Sequence, residues 1–149
     1  KYCLKLRLRG ESMNKKALIS ITSHYKASEN DIIEVQTPGE YFKKDNKYYA
    51  EYEETEISGM KGTTTILEIN PEKVVLMREG TTTAKMEFEK NNKYTTLYNT
   101  PYGVLELVIS TRNIKVDIDD NGGDIYIDYG MSVAGQASHN TELSINIKS

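Results

Sequence analysis

From Lys16 to the end of the chain, apolar and polar residues alternate with a period of two. At this spacing successive side chains point to opposite faces of a β-strand. The pattern is clearest near the end, where Leu143, Ile145 and Ile147 share one face and polar residues lie between them. Such alternation is typical of strands with one face in a core and the other in water. No long stretch has the period of a helix, and at most residues 134–140 have room for one helical turn.

Short runs of turn-forming residues separate the alternating segments. The alternating segments are Ala17–Ala27, Ile32–Thr37, Tyr41–Lys43, Tyr48–Ile57, Thr63–Ile69, Lys73–Arg78, Thr83–Glu89, Tyr94–Asn99, Leu105–Ile109 (whose strip Ile114–Ile118 continues after Arg112 and Asn113), Ile125–Val133 and Leu143–Ile147. The fold class is therefore all-β, an antiparallel up-and-down meander of about 8–10 strands. Closing the meander into a barrel removes edge strands that invite aggregation, so a barrel is favoured. A two-sheet sandwich is the alternative, and an oligonucleotide-binding fold is less favoured because about five strands suffice for it.

The composition fits one globular domain in the cytoplasm. The chain has 149 residues, of which 38% are hydrophobic and 28% charged, as in globular rather than disordered proteins. No apolar run approaches the roughly 18 residues of a membrane span, and no secretory signal follows the basic start. Cys3 is the single cysteine, so no disulfide framework is predicted. We predict no membrane partner, and the composition leaves open whether the chain forms a homodimer.

The first twelve residues differ from the rest. Lys1–Ser12 has four basic residues against Glu11, a net charge of +3; the whole chain is −3, so the remainder carries −6. One hypothesis is that Lys1–Ser12 is a non-native leader or disordered N-terminus and that a single barrel domain spans residues 13–149, since Met13 begins a typical start. The alternative is a genuine N-terminal strand, because leucines and basic residues alternate between positions 4 and 9. N-terminal sequencing of the native protein distinguishes the two.

Several segments together resemble a known family. They are Thr37–Phe42 (TPGEYF), Tyr48–Glu54 (YYAEYEE), Val75–Gly80 (VLMREG), Met86–Phe88 (MEF), Tyr98–Leu107 (YNTPYGVLEL) and Gly123–Tyr129 (GDIYIDY). In order and spacing they resemble the YwiB-like family, uncharacterised calycin-type β-barrel proteins of low-GC Gram-positive bacteria. The resemblance implies a lipocalin-like barrel related in shape to fatty-acid-binding proteins, and it implies no established activity. The chain contains no Trp and so lacks the lipocalin Gly-x-Trp signature, and fold alone does not fix function.

Five residues are candidates for binding a ligand inside the barrel: Tyr52, Glu54, Arg78, Tyr98 and Tyr102. Arg78 follows Val74 and Leu76 on one strand face, which predicts a guanidinium near one end of the barrel. A carboxylate–arginine pair there could anchor a polar or acidic ligand through bidentate hydrogen bonds. The tyrosines combine an apolar body with a polar tip, as cavity linings often do. The alternative is a structural ion pair or a surface charge at a strand end.

The segment Asp117–Asp128 opens like a calcium-binding loop, with the pattern D-x-D-x-N-G. Its flanks read as strands rather than helices, and the closing residue is Asp where a bidentate Glu is usual. Asp-Asp-Asn-Gly-Gly is also what a tight hairpin turn requires, because Asn and Gly tolerate positive φ. We therefore predict a hairpin and no metal site.

Other candidate chemistry is weaker. His24 and His139 are the only histidines and are a poor set for structural zinc. Tyr48 and its tyrosine neighbours interleave with lysines, as in base-stacking surfaces, but nearby glutamates cancel the charge, so no nucleic-acid partner is predicted. No phosphate-binding loop, dinucleotide fingerprint or nucleophile motif occurs. We predict no cofactor and no enzymatic activity.

The favoured function is binding of a small hydrophobic or amphipathic ligand in the barrel, whose identity the sequence leaves open. This predicts a lumen lined by tyrosine and aliphatic side chains with few charges. The alternative is a structural or protein-interaction module, with a filled barrel and one apolar surface patch. An enzyme would need an acid, base or nucleophile converging in a cleft.

Overall fold

The computed structural model describes residues 14–26 and 31–149. In that part of the chain the regular structure is ten strands and one 3-10 turn, Glu56–Ser58. The strands are β1 (Lys15–Tyr25), β2 (Ile32–Lys44), β3 (Lys47–Glu53), β4 (Thr63–Ile69), β5 (Lys73–Gly80), β6 (Ala84–Glu89), β7 (Lys93–Thr100), β8 (Gly103–Asp119), β9 (Gly122–Val133) and β10 (His139–Lys148). The hypothesis on Lys1–Ser12 concerns residues outside this description.

All ten strands form one antiparallel sheet in the order β6-β5-β4-β3-β2-β1-β10-β9-β8-β7. Consecutive strands are neighbours, and β1 also pairs with β10, from Leu18–Lys148 to Tyr25–Thr141. The two edge strands of this sheet are β6 and β7. An isolated β-bridge joins them, in which Thr83, just before β6, and Asn99, on β7, exchange two backbone hydrogen bonds of 2.9 Å. The sheet is thus a nearly closed barrel, which confirms the predicted all-β meander and excludes the two-sheet sandwich.

The inner face of the barrel carries the main hydrophobic core, as the alternation requires. Fully buried inner side chains come from both halves of the chain: Ile19, Leu67, Val74, Phe88, Ile109, Ile125, Ile127 and Ile147. Phe88 on β6 meets Tyr129 on β9 edge to face, with ring centroids 4.9 Å apart. Burying each large apolar side chain contributes about 1.5–3 kcal/mol, so the core, more than the single Thr83–Asn99 bridge, keeps the barrel closed.

Two pairs of alternating segments are single strands in the structure. Ile32–Thr37 and Tyr41–Lys43 are parts of β2, which runs unbroken through Pro38 and Gly39. A Cβ at position 39 would lie 2.5 Å from Cδ1 of Ile19, so this glycine makes room for a core side chain and does not mark a turn. Leu105–Ile109 and Ile114–Ile118 likewise belong to β8, where a bulge between Thr111 and Asn113 absorbs the extra residue.

Two local predictions are corrected. The strand predicted to reach Ile57 ends at Glu53, because the following residues form the 3-10 turn, in which the Ser58 amide donates to the Thr55 carbonyl at 3.2 Å. Residues 134–138 form no helical turn. Ala134 and Gly135 have φ values of +52° and +77°, and this left-handed conformation does not continue a right-handed helix.

One end of the barrel is closed by tyrosines, and we call it the closed end. The Tyr41 hydroxyl donates to the Asp119 carbonyl at 2.6 Å, and the Tyr48 hydroxyl donates to Oδ1 of Asp120 at 2.5 Å. The two rings stack with centroids 5.5 Å apart. The hydrogen bond to Asp120 raises the pKa of Tyr48 to about 12 and lowers the pKa of Asp120. These contacts tie the β2–β3 hairpin to the β8–β9 hairpin.

The calcium-like segment forms the predicted hairpin. Strands β8 and β9 flank it, and Asp119 pairs with Gly122 across the turn. Gly122 has a φ of +109°, and a Cβ there would lie 2.1 Å from the Ile147 carbonyl oxygen, so glycine is required on both conformational and steric grounds. Among the described residues, no group of three or more His, Cys, Asp or Glu side chains is arranged to hold a metal ion.

We expect Tyr48→Phe to lower the melting temperature at neutral pH, since it removes the hydroxyl bound to Asp120. The folded-state pKa of Asp120 lies below its ordinary 3.8, so this contribution is complete above that pH and is lost as pH falls through the lowered pKa. Thermal unfolding followed by circular dichroism should therefore show a smaller difference from the unaltered protein near pH 3 than near pH 7. Tyr102→Phe, on a side chain exposed to solvent, is the control, and an equal difference at both pH values contradicts the expectation.

Candidate functional site

A cavity of about 340 Å³ lies inside the barrel. It opens at the end opposite the closed end, which we call the open end, where β1, β3, β5, β7 and β9 finish. Its walls are mostly apolar: Ile21, Leu76, Met86, Phe88, Leu105, Leu107, Met131, Val133, Leu143 and Ile145. Polar groups come from Ser23, Tyr25, Tyr52, Ser58, Arg78, Tyr98 and Tyr129. The volume is near the lower end of the range of about 300–1,000 Å³ for small-molecule sites.

Among the residues that the structure describes, Arg78 is the one charged residue in the lining of the cavity. It follows Val74 and Leu76 on the inward face of β5, with only Gly80 after it, so the strand period brings its side chain into the lumen. Nε of Arg78 lies 3.6 Å from Oε2 of Glu54, and the two side chains are 14% and 7% exposed. This Nε is buried and has no hydrogen-bond partner within residues 14–26 and 31–149. The guanidinium is therefore neutralised by Glu54 at a distance too long for a hydrogen bond.

Glu54 is held in place behind the lining. It follows the last residue of β3, and its amide donates to the Thr63 carbonyl at 2.8 Å. Its Oε2 accepts a hydrogen bond of 2.5 Å from the Thr65 hydroxyl. Backbone and side chain are both fixed by β4, so the carboxylate is a preorganised counter-ion for Arg78.

Two tyrosines from different parts of the barrel lie within the electrostatic influence of Arg78. Burial raises the pKa of Tyr52, on β3, well above its ordinary value, and raises the pKa of Tyr129, on β9, to about 12. In both cases the positive charge of Arg78 opposes the rise. Both hydroxyls therefore stay protonated at neutral pH and remain hydrogen-bond donors.

A loop crosses the open end of the barrel. Residues 54–62 connect β3 to β4 and place Ser58 and Met60 in the cavity lining. The Tyr98 hydroxyl, on β7, donates to Sδ of Met60 at 3.1 Å, and the Thr81 hydroxyl donates to the Lys61 carbonyl at 3.0 Å. The loop is thus fastened at two points and narrows the mouth of the cavity.

The structure brings four of the five predicted site residues together. Tyr52, Arg78 and Tyr98 line the cavity, and Glu54 pairs with Arg78 just behind the wall. Tyr102 is elsewhere: it lies in the β7–β8 turn with 98% of its surface exposed. Turn residues fall outside the strand alternation, which gives no information on where such a side chain points.

Sequence reasoning missed Tyr129 and Met60 as lining residues. Tyr129 shares the inward face of β9 with Ile127 and Met131, so the alternation carried a usable signal for it. Met60 lies in an irregular loop, and no local pattern indicates that it reaches Tyr98.

The histidines lie away from the cavity lining. Nδ1 of His24 is 3.5 Å from a carboxylate oxygen of Glu142, with the His24 side chain 39% exposed. Glu142 also accepts a hydrogen bond of 2.6 Å from the Tyr126 hydroxyl, which raises the pKa of Tyr126 to about 12 and lowers that of Glu142. His139 is exposed at the start of β10.

Among the residues that the structure describes, no helix is long and apolar enough to cross a membrane.

Fold and site define a class of protein: an antiparallel β-barrel with a mostly apolar internal cavity into which the mostly buried side chain of Arg78 projects. Residues 19–145 match the family described as domain of unknown function DUF1934. The chain belongs to that family.

Comparison with known proteins agrees with this assignment. The chain is 32% identical over 131 residues to an uncharacterised β-barrel protein, YwiB, of Bacillus subtilis (strain 168). The aligned region covers 84% of this chain and 90% of that relative. It is also similar to the crystal structure of the YwiB protein from Bacillus subtilis, with a TM-score of 0.84 and 26% identity over 95% of this chain and 96% of that one. The resemblance to the YwiB-like family is therefore confirmed. Neither description names an enzymatic activity.

We expect Arg78→Met to destabilise the protein by about 3 kcal/mol, because it leaves the Glu54 carboxylate buried without its cation. The double variant Arg78→Met with Glu54→Met should regain most of this loss, since replacing both members of a buried pair by apolar groups is often neutral. Urea unfolding measures both.

Arg112→Met is the matched control, because Arg112 is 44% exposed and its hydrogen bond to Asp128 is on the surface. Its removal should change stability by about 0–1 kcal/mol. If Arg78→Met is no more damaging than Arg112→Met, the buried pair does not have the role assigned to it.

Proposed function

We propose that this protein binds a small amphipathic molecule with an acidic head, with the head at Arg78 and the apolar body along the barrel. The observation that carries the proposal is the mostly buried guanidinium of Arg78 in a cavity of about 340 Å³ whose other described lining residues are uncharged and mostly apolar. Desolvating an arginine is costly unless its donors are used. A carboxylate or phosphate supplies acceptors in the planar, bidentate arrangement that a guanidinium matches.

The remaining polar groups fit the same ligand. Tyr129 keeps its proton at neutral pH and can donate to an anionic head beside Arg78, whereas the Tyr52 hydroxyl is already hydrogen-bonded to Glu54. The apolar wall formed by residues such as Leu76, Met86 and Leu107 suits an aliphatic or aromatic body. Glu54 competes with the ligand for Arg78, so it tunes the affinity.

The proposal includes the broader assignments that the sequence suggested. A non-enzymatic, cytoplasmic carrier or sensor of calycin type is consistent with the barrel and with the descriptions of the relatives, which name no activity. The alternative, a filled barrel acting as a protein-interaction module, is less favoured because the lumen contains a cavity. The observation in favour of the interaction module is that apolar side chains such as Ile57, Leu97 and Val104 are 69%, 58% and 59% exposed.

Native and denaturing mass spectrometry of the protein expressed in a bacterial host is the first test. A mass excess in the native spectrum that disappears on denaturation indicates a bound small molecule, which extraction can identify. The Arg78→Gln variant should lose this excess, and Arg112→Gln should keep it. A native mass equal to that of the bare chain in every preparation favours the interaction module, and the same spectrum reports the oligomeric state.

A direct binding experiment uses decanoate, decanol and decyltrimethylammonium as probes that share one apolar chain and differ in head-group charge. We expect decanoate to bind most tightly in isothermal titration calorimetry. Arg78→Gln should weaken the binding of decanoate by about 10–100-fold, because a hydrogen bond to a charged group contributes about 1.5–3 kcal/mol. The same substitution should leave the affinity for decanol nearly unchanged.

Glu54→Gln should change the affinity for decanoate in the opposite direction to Arg78→Gln. Removing the competing carboxylate leaves Arg78 with a net positive charge, so decanoate should bind more tightly than to the unaltered protein. Arg112→Gln serves as the control for a loss of surface charge. Equal affinity of Arg78→Gln and the unaltered protein for decanoate contradicts the proposal.

A further inference from the structure

Two neighbouring strands of the barrel are not joined by a ladder, and we call the boundary between them the seam. It lies between β6 and β7, the edge strands of the sheet. Among the described residues, the bridge between Thr83 and Asn99 is the only strand pairing across it. Continued toward the turn, the same antiparallel register would bring Lys85 opposite Leu97, but no bridge forms there. The seam is therefore the weakest join in the barrel wall.

The two ends of the seam are held by different contacts. Toward the closed end, the Asn92 amide donates to the Glu89 carbonyl at 3.0 Å, and the Tyr94 hydroxyl donates to Oε1 of Glu89 at 2.7 Å. Toward the open end, the join consists of the two backbone hydrogen bonds of the bridge. Parting the strands there breaks two hydrogen bonds, whereas every other pair of neighbouring strands is joined by a ladder.

The cavity reaches the seam from inside. Met86 and Phe88 on β6 and Tyr98 on β7 all line it. The inward side chains of β7 are only half-buried, unlike those of β6 across the seam, which are buried. They are Tyr94, Thr96, Tyr98 and Thr100. Each carries a hydroxyl group, so one side of the seam offers hydrogen-bond donors and the other side is apolar.

The seam also lies close to Arg78. In the β5–β6 ladder Arg78 is directly opposite Ala84, the residue after Thr83 of the bridge. The register of the bridge places Tyr98 across the seam from Ala84. The small alanine is thus the only side chain between Arg78 and Tyr98 in this inward-facing row. From Tyr98 to Arg78 is two strand spacings, or about 10 Å.

The mouth at the open end is a more firmly closed route. Residues 54–62 cross it and are fastened to Tyr98 and Thr81 by hydrogen bonds. Glu54, the first residue of this loop, is held by β4 through both its amide and its carboxylate. Moving the loop aside would therefore break several hydrogen bonds and disturb the counter-ion of Arg78.

We propose that the ligand enters and leaves the cavity through the seam, which parts at the Thr83–Asn99 bridge. This inference rests on the proposed function, the binding of an amphipathic molecule with an acidic head. The hydroxyl groups along β7 donate to the head on its way to Arg78, and Met86 and Phe88 contact the apolar body. The bridge then controls the rates of binding and release, and Arg78 controls the affinity.

A disulfide across the bridge tests this route. The Cα atoms of a hydrogen-bonded antiparallel pair are about 5.5 Å apart, a distance that a disulfide spans. In a Cys3→Ser background, the variant Thr83→Cys with Asn99→Cys is compared in its oxidised and reduced forms, by stopped-flow tyrosine fluorescence with decanoate. We expect oxidation to slow association and dissociation at least about tenfold and to leave the Kd nearly unchanged, because it closes only the path between the free and bound states. Reduction with dithiothreitol should restore both rates.

The matched control is Ser20→Cys with Asn146→Cys, an outward-facing pair in the complete β1–β10 ladder. Its oxidation should leave both rates unchanged. Asn99→Pro should have the opposite effect to the disulfide, because it removes the amide that donates to the Thr83 carbonyl, so both rates should rise. Circular dichroism verifies that each variant keeps its β-sheet signal.

The outcomes separate the route from the proposed function. Slower exchange of decanoate only in the oxidised Thr83–Asn99 variant supports the seam. Equal rates in the oxidised and reduced forms, with decanoate bound in both, overturn the seam and leave the proposed function standing. If decanoate binds neither the reduced variant nor the unaltered protein, both proposals are overturned.

Discussion

The pairing of β1 with β10 is the constraint on which the rest of this structure depends. These strands lie at opposite ends of the sequence, and their register, from Leu18–Lys148 to Tyr25–Thr141, joins two meanders into one sheet. With that join made, the free edges come close enough for the Thr83–Asn99 bridge. Closure also fixes which side of every strand faces the lumen, because a shift of one residue would turn each inner side chain outward. The core, the cavity and the inward position of Arg78 all follow from it.

The two ends of the barrel differ in which side-chain contacts they contain. At the closed end, the hydroxyls of Tyr41 and Tyr48 bind the β8–β9 hairpin. At the open end the lumen contains a buried ion pair whose nitrogen and oxygen are 3.6 Å apart. Such a pair is a poor source of stability, since an apolar replacement of both partners often does as well. Its presence in an apolar cavity is the reason for the proposal that the pair serves ligand binding rather than folding.

Strands β2 to β4 bury some apolar side chains on both faces. The inner residues belong to the core, and Phe42, Tyr49 and Ile66, which face outward, are equally buried. The same wall leads to the site, because β3, which carries Tyr52, continues directly into Glu54 behind the cavity.

The sequence by itself determined the features that depend on neighbours along the chain. Alternation located most of the strands and placed Arg78 on one face with Val74 and Leu76, and glycine and asparagine located most of the hairpins, because strand period and turn conformation are local properties. Only the tertiary structure decided which distant residues meet. It brought Tyr129 near Arg78, Met60 to Tyr98 and the β1 edge to β10, left Tyr102 in water, and buried Phe42 and Ile66 on the outer face. Those outcomes depend on register and closure across the barrel, for which no local pattern exists.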